Sequence, residues 1–181
     1  MASVQAFKYL PLGMSFSGIL QLAGYVSPGW YRLKSGDYST QNSLWYTIIC
    51  IETCETSSIY KGYEGYHPYR PWQIQTTIAL LACVLSVICL IKTRNTAGAR
   101  MLKWLTISVY CSLLSGILSL VPAGTAADIV RSSEDEHSLF PYSPLLTGLG
   151  GILALVISLI SLYNVQSMQT TNEQGFHLSS M

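Results

Sequence analysis

Hydrophobic and polar positions along this chain separate into long blocks. Four stretches contain no Lys, Arg, Asp or Glu, at 9–31, 71–91, 104–127 and 138–172, and the shortest is 21 residues long. A helix that crosses a bilayer needs about 20 mostly apolar residues. The pattern therefore predicts membrane spans at 10–27, 72–91, 104–123 and 145–163, too long and too uniformly apolar for amphipathic surface helices. The first is the most polar, with three Gly, three Ser, Gln21 and Pro11. Its alternative reading is a cleaved secretion signal. Lys8 alone makes a thin basic flank for that, and Ala23-Gly24-Tyr25 matches a small-x-small cleavage site poorly.

Segment 28–71 has a different texture. Leu44-Trp45-Tyr46-Thr47-Ile48-Ile49 is aromatic and β-branched and reads as a strand, with Thr53 to Tyr60 as its partner. Tyr31-Arg32-Leu33 reads as a further strand leading into a Ser35-Gly36-Asp37 turn. Gly62, Gly65, Pro68 and Pro71 then break the chain before the second span. The expected fold is an all-α four-helix transmembrane bundle carrying a small antiparallel β-sheet, in a single domain.

Charge changes the picture by orienting it. Only about 10% of residues are charged, against about 25% in an ordinary soluble domain. That scarcity excludes a typical soluble enzyme, a disordered tail and a nucleic-acid binder. Loop 92–103 carries Lys92, Arg94, Arg100 and Lys103 and no acid, whereas Arg131 is set against Asp128, Glu134, Asp135 and Glu136. Basic short loops stay in the cytoplasm. Loop 92–103, both termini and the tail 164–181 are accordingly assigned to the cytoplasm, and loops 28–71 and 124–144 to the outside. The sheet is then extracellular and the protein a multi-pass resident of the plasma membrane.

Cys83, Cys89 and Cys111 fall inside predicted spans, where a free thiol behaves as a small hydrophobe. Cys50 and Cys54 lie in the large outer loop, in a compartment that permits disulfides. Ile51-Glu52-Thr53 would have to form the tip of a tight hairpin for the two to reach each other. Two unpaired cysteines, or a pair made with another molecule, are the alternatives.

The same loop holds seven tyrosines with Trp30 and Trp45. Trp30, Tyr69 and Trp72 flank spans, as an interfacial aromatic belt requires. No catalytic constellation, phosphate-cradling Gly-rich loop or metal-ligand spacing stands out, and His67, His137 and His177 fall in separate segments. No enzyme activity, cofactor or metal is expected. Gly148-Leu149-Gly150-Gly151, with Ser112, Ser115 and Gly116, permits close helix packing, and Gln21 with the serines of the first span supplies interhelical hydrogen bonds.

Pro28-x-Trp30-x-Arg32, then Leu44-Trp45, then Cys50 and Cys54, with Arg70 before the second span, resembles the first-loop signature of claudins. Claudins belong to a superfamily that also includes peripheral myelin and epithelial membrane proteins and channel auxiliary subunits. Phe140-Pro141-Tyr142 resembles the aromatic motif of the claudin second loop. This chain departs from the family in having Ser43 where Gly is usual, more closely spaced cysteines, and Ser179-Ser180-Met181 in place of the usual PDZ-binding ending. Ser179 and Met181 are the residues that would enter a PDZ groove by strand addition. The resemblance implies a protein of cell junctions that self-associates in the bilayer, in cis and in trans, to form or modulate a paracellular barrier or pore. It places the pore-lining role on Glu55, with Glu52 nearby, and so a preference for cations. The alternative is a non-junctional member of the superfamily, acting as an auxiliary subunit, trafficking partner or membrane organiser.

Overall fold

The computed structural model describes residues 2–58, 69–132 and 141–179. Its elements, in chain order, are α1 (Ala2–Val26), β1 (Tyr31–Ser35), β2 (Tyr38–Asn42), β3 (Tyr46–Cys50), β4 (Cys54–Ser58), α2 (Tyr69–Arg94), α3 (Ala99–Ser132) and α4 (Tyr142–Ser179). Three of the helices contain segments long and apolar enough to cross a membrane: Arg70–Arg94, Ala99–Asp128 and Tyr142–Thr170. α1 is 25 residues long. The helices run past the predicted spans. Pro71, expected to break the chain, lies in the first turn of α2, where proline's missing N–H costs no helical bond. α2 continues through Lys92 and Arg94, and α4 continues through the segment assigned to the tail.

Each helix packs against two neighbours, α1 on α2 and α4, and α3 on α2 and α4. The bundle is apolar outside and buries many polar side chains within. Leu12, Ile19, Leu81, Val84, Ile117 and Leu159 are among its exposed side chains, whereas Ser17, Gln21, Ser86, Ser108, Ser115 and Ser158 are buried. Water-soluble domains keep large aliphatic side chains in and polar ones out. The reversal suits lipid, where association rests on close packing and interhelical hydrogen bonds.

Those bonds are specific. Ser17 Oγ on α1 donates to the Gly150 carbonyl on α4 at 2.7 Å, and Gln21 Nε2 donates to Ser17 Oγ at 3.2 Å and to Ser115 Oγ on α3 at 3.1 Å. Ser86 and Ser108 share a hydroxyl bond of 2.9 Å between α2 and α3. Ser158 Oγ on α4 donates to the Val109 carbonyl of α3 at 3.0 Å. An apolar layer of Leu10, Met14, Leu90, Leu105, Ile157 and Val165 fills the end away from the sheet. Contact between α1 and α2 is looser, leaving a groove of about 540 Å³ lined by residues such as Met14, Leu22, Leu81 and Val84.

The sheet is an antiparallel meander in the order β1-β2-β3-β4. Ser35 pairs with Tyr38 across a two-residue turn in which Gly36 has φ 58°, a conformation glycine adopts without steric cost. Cys50 pairs with Cys54 across the Ile51-Glu52-Thr53 tip. Leu44 and Trp45 precede β3 instead of opening it, and β4 starts at Cys54. The segment 38–42, where no strand was expected, forms β2.

Candidate functional site

The ends of all four helices converge beneath the sheet. α1 stops before Pro28, which cannot donate to a helix, and Gly29 carries the chain toward α4. Gly29 N donates to Ser143 Oγ at 2.8 Å, and Ser27 and Ser143 share a hydroxyl bond of 2.7 Å. Ser143 lies just before Pro144, in the first turn of α4.

Trp30 is the centre of this joint. It is 1% exposed, and its Nε1–H donates to the Gly24 carbonyl at 2.9 Å. Its backbone N–H donates to the Asn42 carbonyl of β2 at 2.9 Å. Its ring stacks on Trp72 of α2 with centroids 5.7 Å apart. Leu44 is fully buried beside it, and Ala126 closes the cluster from α3. The Leu44 carbonyl accepts from Gln73 Nε2 of α2. Tyr46 OH reaches the Val26 carbonyl at 2.9 Å. The sheet and the residues leading into it are thus tied to α1, α2, α3 and α4, with Trp30 and Tyr46 apolar in body and polar at the tip, as an aromatic at such a boundary must be.

Arg32 leaves β1 with its guanidinium carbon 5.5 Å from the centroid of the Tyr142 ring, within cation–π range. Trp45 meets Tyr25 edge-on at 5.4 Å and keeps 40% of its surface exposed. The signature residues therefore divide. Trp30 and Leu44 form the buried joint with Trp45 at its rim, while Cys50 and Cys54 sit at the far tip of the sheet. Arg70 is exposed at the start of α2. Tyr142 belongs to the joint, as the first residue of α4. Phe140 and Met181 lie outside the described residues, and Ser179 is the last residue of α4.

The tip of the sheet carries the disulfide and the exposed carboxylates. Cys50 and Cys54 are joined by a disulfide that closes the Ile51-Glu52-Thr53 tip. Ile51 is 65% exposed there. Glu52 is exposed at the same turn, and Glu55 is exposed on β4 opposite Ile49. An aliphatic side chain and two carboxylates are thus displayed at one end of a four-stranded sheet. Cys83, Cys89 and Cys111 are free. Among the described residues no group of three His, Cys, Asp or Glu side chains comes together to hold a metal.

The sequence reading missed Ser143, Gln73, Gly24 and Tyr46. Only Ser143 carries a local signal, a Ser-Pro pair opening an apolar run. The others act through backbone carbonyls that no motif reveals. In comparison with known proteins, no family model matches the chain, and no curated protein matches it significantly.

Proposed function

We propose that the chain is a four-span, claudin-like protein of the plasma membrane. Its outer sheet makes contacts between protomers, within one membrane and across a cell–cell gap, and so forms or modulates a paracellular barrier or pore. The observation that carries this reading is the joint. A disulfide-closed sheet is held to the bundle by Trp30, Leu44, Gln73 and Ser143, so its exposed tip is presented rigidly. Rigid presentation lowers the entropy that a contact must overcome. The fourth span is α1, whose outward face carries Leu12, Phe16, Ile19 and Leu22, all at least half exposed. With loop 92–103 in the cytoplasm, the sheet lies outside.

Ion preference follows from charge at the tip. Glu52 and Glu55 are exposed, so a narrow pore lined by them favours cations. Expression in cells that lack junctional strands tests the proposal. Strands in freeze-fracture images and a changed transepithelial resistance are expected, and Glu55→Lys should lower the cation-to-anion permeability ratio. An unchanged ratio removes Glu55 from the pore. Diffuse or vesicular protein with unaltered resistance favours the second reading, a non-junctional auxiliary or trafficking subunit. The three-residue spacing between Cys50 and Cys54 supports that alternative, since it makes the tip smaller than the family's usual one.

A further inference from the structure

The end of the bundle opposite the sheet carries a concentrated positive charge. α2 ends at Arg94 and α3 begins at Ala99, so only residues 95–98 join them. The turn is tightly held. Asn95 N donates to the Lys92 carbonyl at 3.1 Å, Thr96 Oγ1 donates to the same carbonyl at 2.9 Å, and Gly98 adopts φ 65°. Lys92 and Arg94 sit in the last turn of α2, and Arg100 and Lys103 near the start of α3. All four are exposed. They are displayed on two packed helix ends instead of a loose loop, because Ser86 and Ser108 fasten α2 to α3 below them.

No carboxylate in these helices neutralises the patch. The sequence contains no Asp or Glu from 65 to 127, and in the segments assigned to this side the only acid is Glu173. Orientation in a membrane depends only on the number of basic residues in a short loop. It does not require them to be held together on a rigid support. Depth is set as well. The Lys92 ammonium lies 4.5 Å from the centroid of the Trp104 ring, and Trp104 is half-buried at the start of an apolar run. Tryptophan settles at headgroup level, which puts the four cations at the level of lipid phosphates.

We propose that Lys92, Arg94, Arg100 and Lys103 form a docking surface for the anionic phospholipid headgroups of the cytoplasmic leaflet, with Trp104 fixing its depth. The proposal rests on the orientation given above. A cation at such a surface gains up to about fivefold in local association with anionic lipid, an attraction that salt screens. The bundle therefore selects phosphatidylserine-like lipids around one pair of helices.

The test uses the full chain in nanodiscs of phosphatidylcholine with a low fraction of spin-labelled phosphatidylserine or spin-labelled phosphatidylcholine. Several-fold preference for phosphatidylserine is expected, falling with added salt. Replacing all four cations with Gln should abolish it, and either pair, Lys92→Gln with Arg94→Gln or Arg100→Gln with Lys103→Gln, should reduce it. Lys92→Arg with Lys103→Arg should keep it, and Arg131→Gln at the other end should leave it unchanged. Equal association of the two lipids, or a preference that survives the fourfold Gln variant, overturns the proposal. Displacement of the lipid by millimolar inorganic phosphate overturns it in favour of a free anion. Displacement by a soluble acidic peptide does so in favour of a protein partner. Orientation is read separately, from impermeant maleimide labelling of Thr96→Cys on intact cells. Labelling from outside overturns the cytoplasmic assignment, while lipid preference in nanodiscs remains a distinct result.

Discussion

Adding one methyl group at Gly24 should loosen the joint, whereas the same change at Gly124 should not. A Cβ on Gly24 would lie 2.6 Å from the Ser143 carbonyl oxygen and 2.9 Å from Thr147 N, with Thr147 Oγ1 nearer still. Carbon contacts settle at about 3.5 Å or more, so α1 and α4 must separate by roughly 0.6–0.9 Å. Overpacking of this kind costs about 1–3 kcal/mol. The shift also stretches the Trp30 Nε1 bond to the Gly24 carbonyl, worth about 1 kcal/mol. A Cβ on Gly124 meets nothing within 4 Å. Both glycines lie inside helices, so the gain of about 0.5–1 kcal/mol from Gly→Ala in a helix applies equally and cancels in the comparison. Gly24→Ala should therefore be less stable than Gly124→Ala by about 2–4 kcal/mol. Thermal unfolding in detergent, followed by a thiol-reactive dye at buried Cys83 and Cys89, measures the difference. A Gly24→Ala midpoint equal to or above that of Gly124→Ala refutes the close approach of α1 to α4.

Gln21→Leu removes the bonds to Ser17 and Ser115 and should cost about 1–2 kcal/mol in the same assay. A double-mutant cycle with Ser115→Ala should show coupling, and strict additivity argues against the bond. Trp30→Phe keeps the stack on Trp72 and loses the indole donor, costing about 1 kcal/mol. Trp30→Ala should cost about 3–5 kcal/mol and raise deuterium exchange across β1 and β2, so equal effects of the two would remove the joint's central residue. Cys50→Ser should speed amide exchange in β3 and β4, in line with about 2 kcal/mol of lost loop constraint, and leave the bundle's unfolding midpoint nearly unchanged. Unaltered exchange would mean that the hairpin holds without its bridge.

The apolar helices were readable because a charge-free run of 20 or more residues has few other uses. α1 was harder, since Gly, Ser, Gln21 and Pro11 dilute the signal. Their purpose is visible only in three dimensions, where Ser17 and Gln21 face Gly150 and Ser115. Strands β1, β3 and β4 were legible from Tyr31, Ile48 and the cysteine spacing. β2, Tyr-Ser-Thr-Gln-Asn, was not, because four of its five residues are polar and it lacks an apolar alternation. It becomes a strand through pairing on both sides, with β1 and with β3, and pairing is not local information. Helix ends were underestimated for a related reason. The apolar run marks the part suited to lipid, while the helix continues as long as no residue breaks it. At the candidate site, Trp30 and the cysteines stood out by residue type, and Leu44 through the resemblance of Leu44-Trp45 to a family motif. The carbonyls of Gly24, Val26 and Leu44, which accept from Trp30, Tyr46 and Gln73, have no side-chain signature.

The short link from α1 into the sheet has a mechanical consequence. Trp30 follows the end of α1 by only four residues and is bonded both to α1 and to β2. A sideways pull on the tip is therefore not absorbed by a tether. It would act as torque about the Trp30–Trp72 stack, and would be felt at the ends of α1 and α4 through the Gly24 and Ser143 bonds. Strain applied on one side of a membrane would then alter helix packing within it, with no ligand and no change of charge.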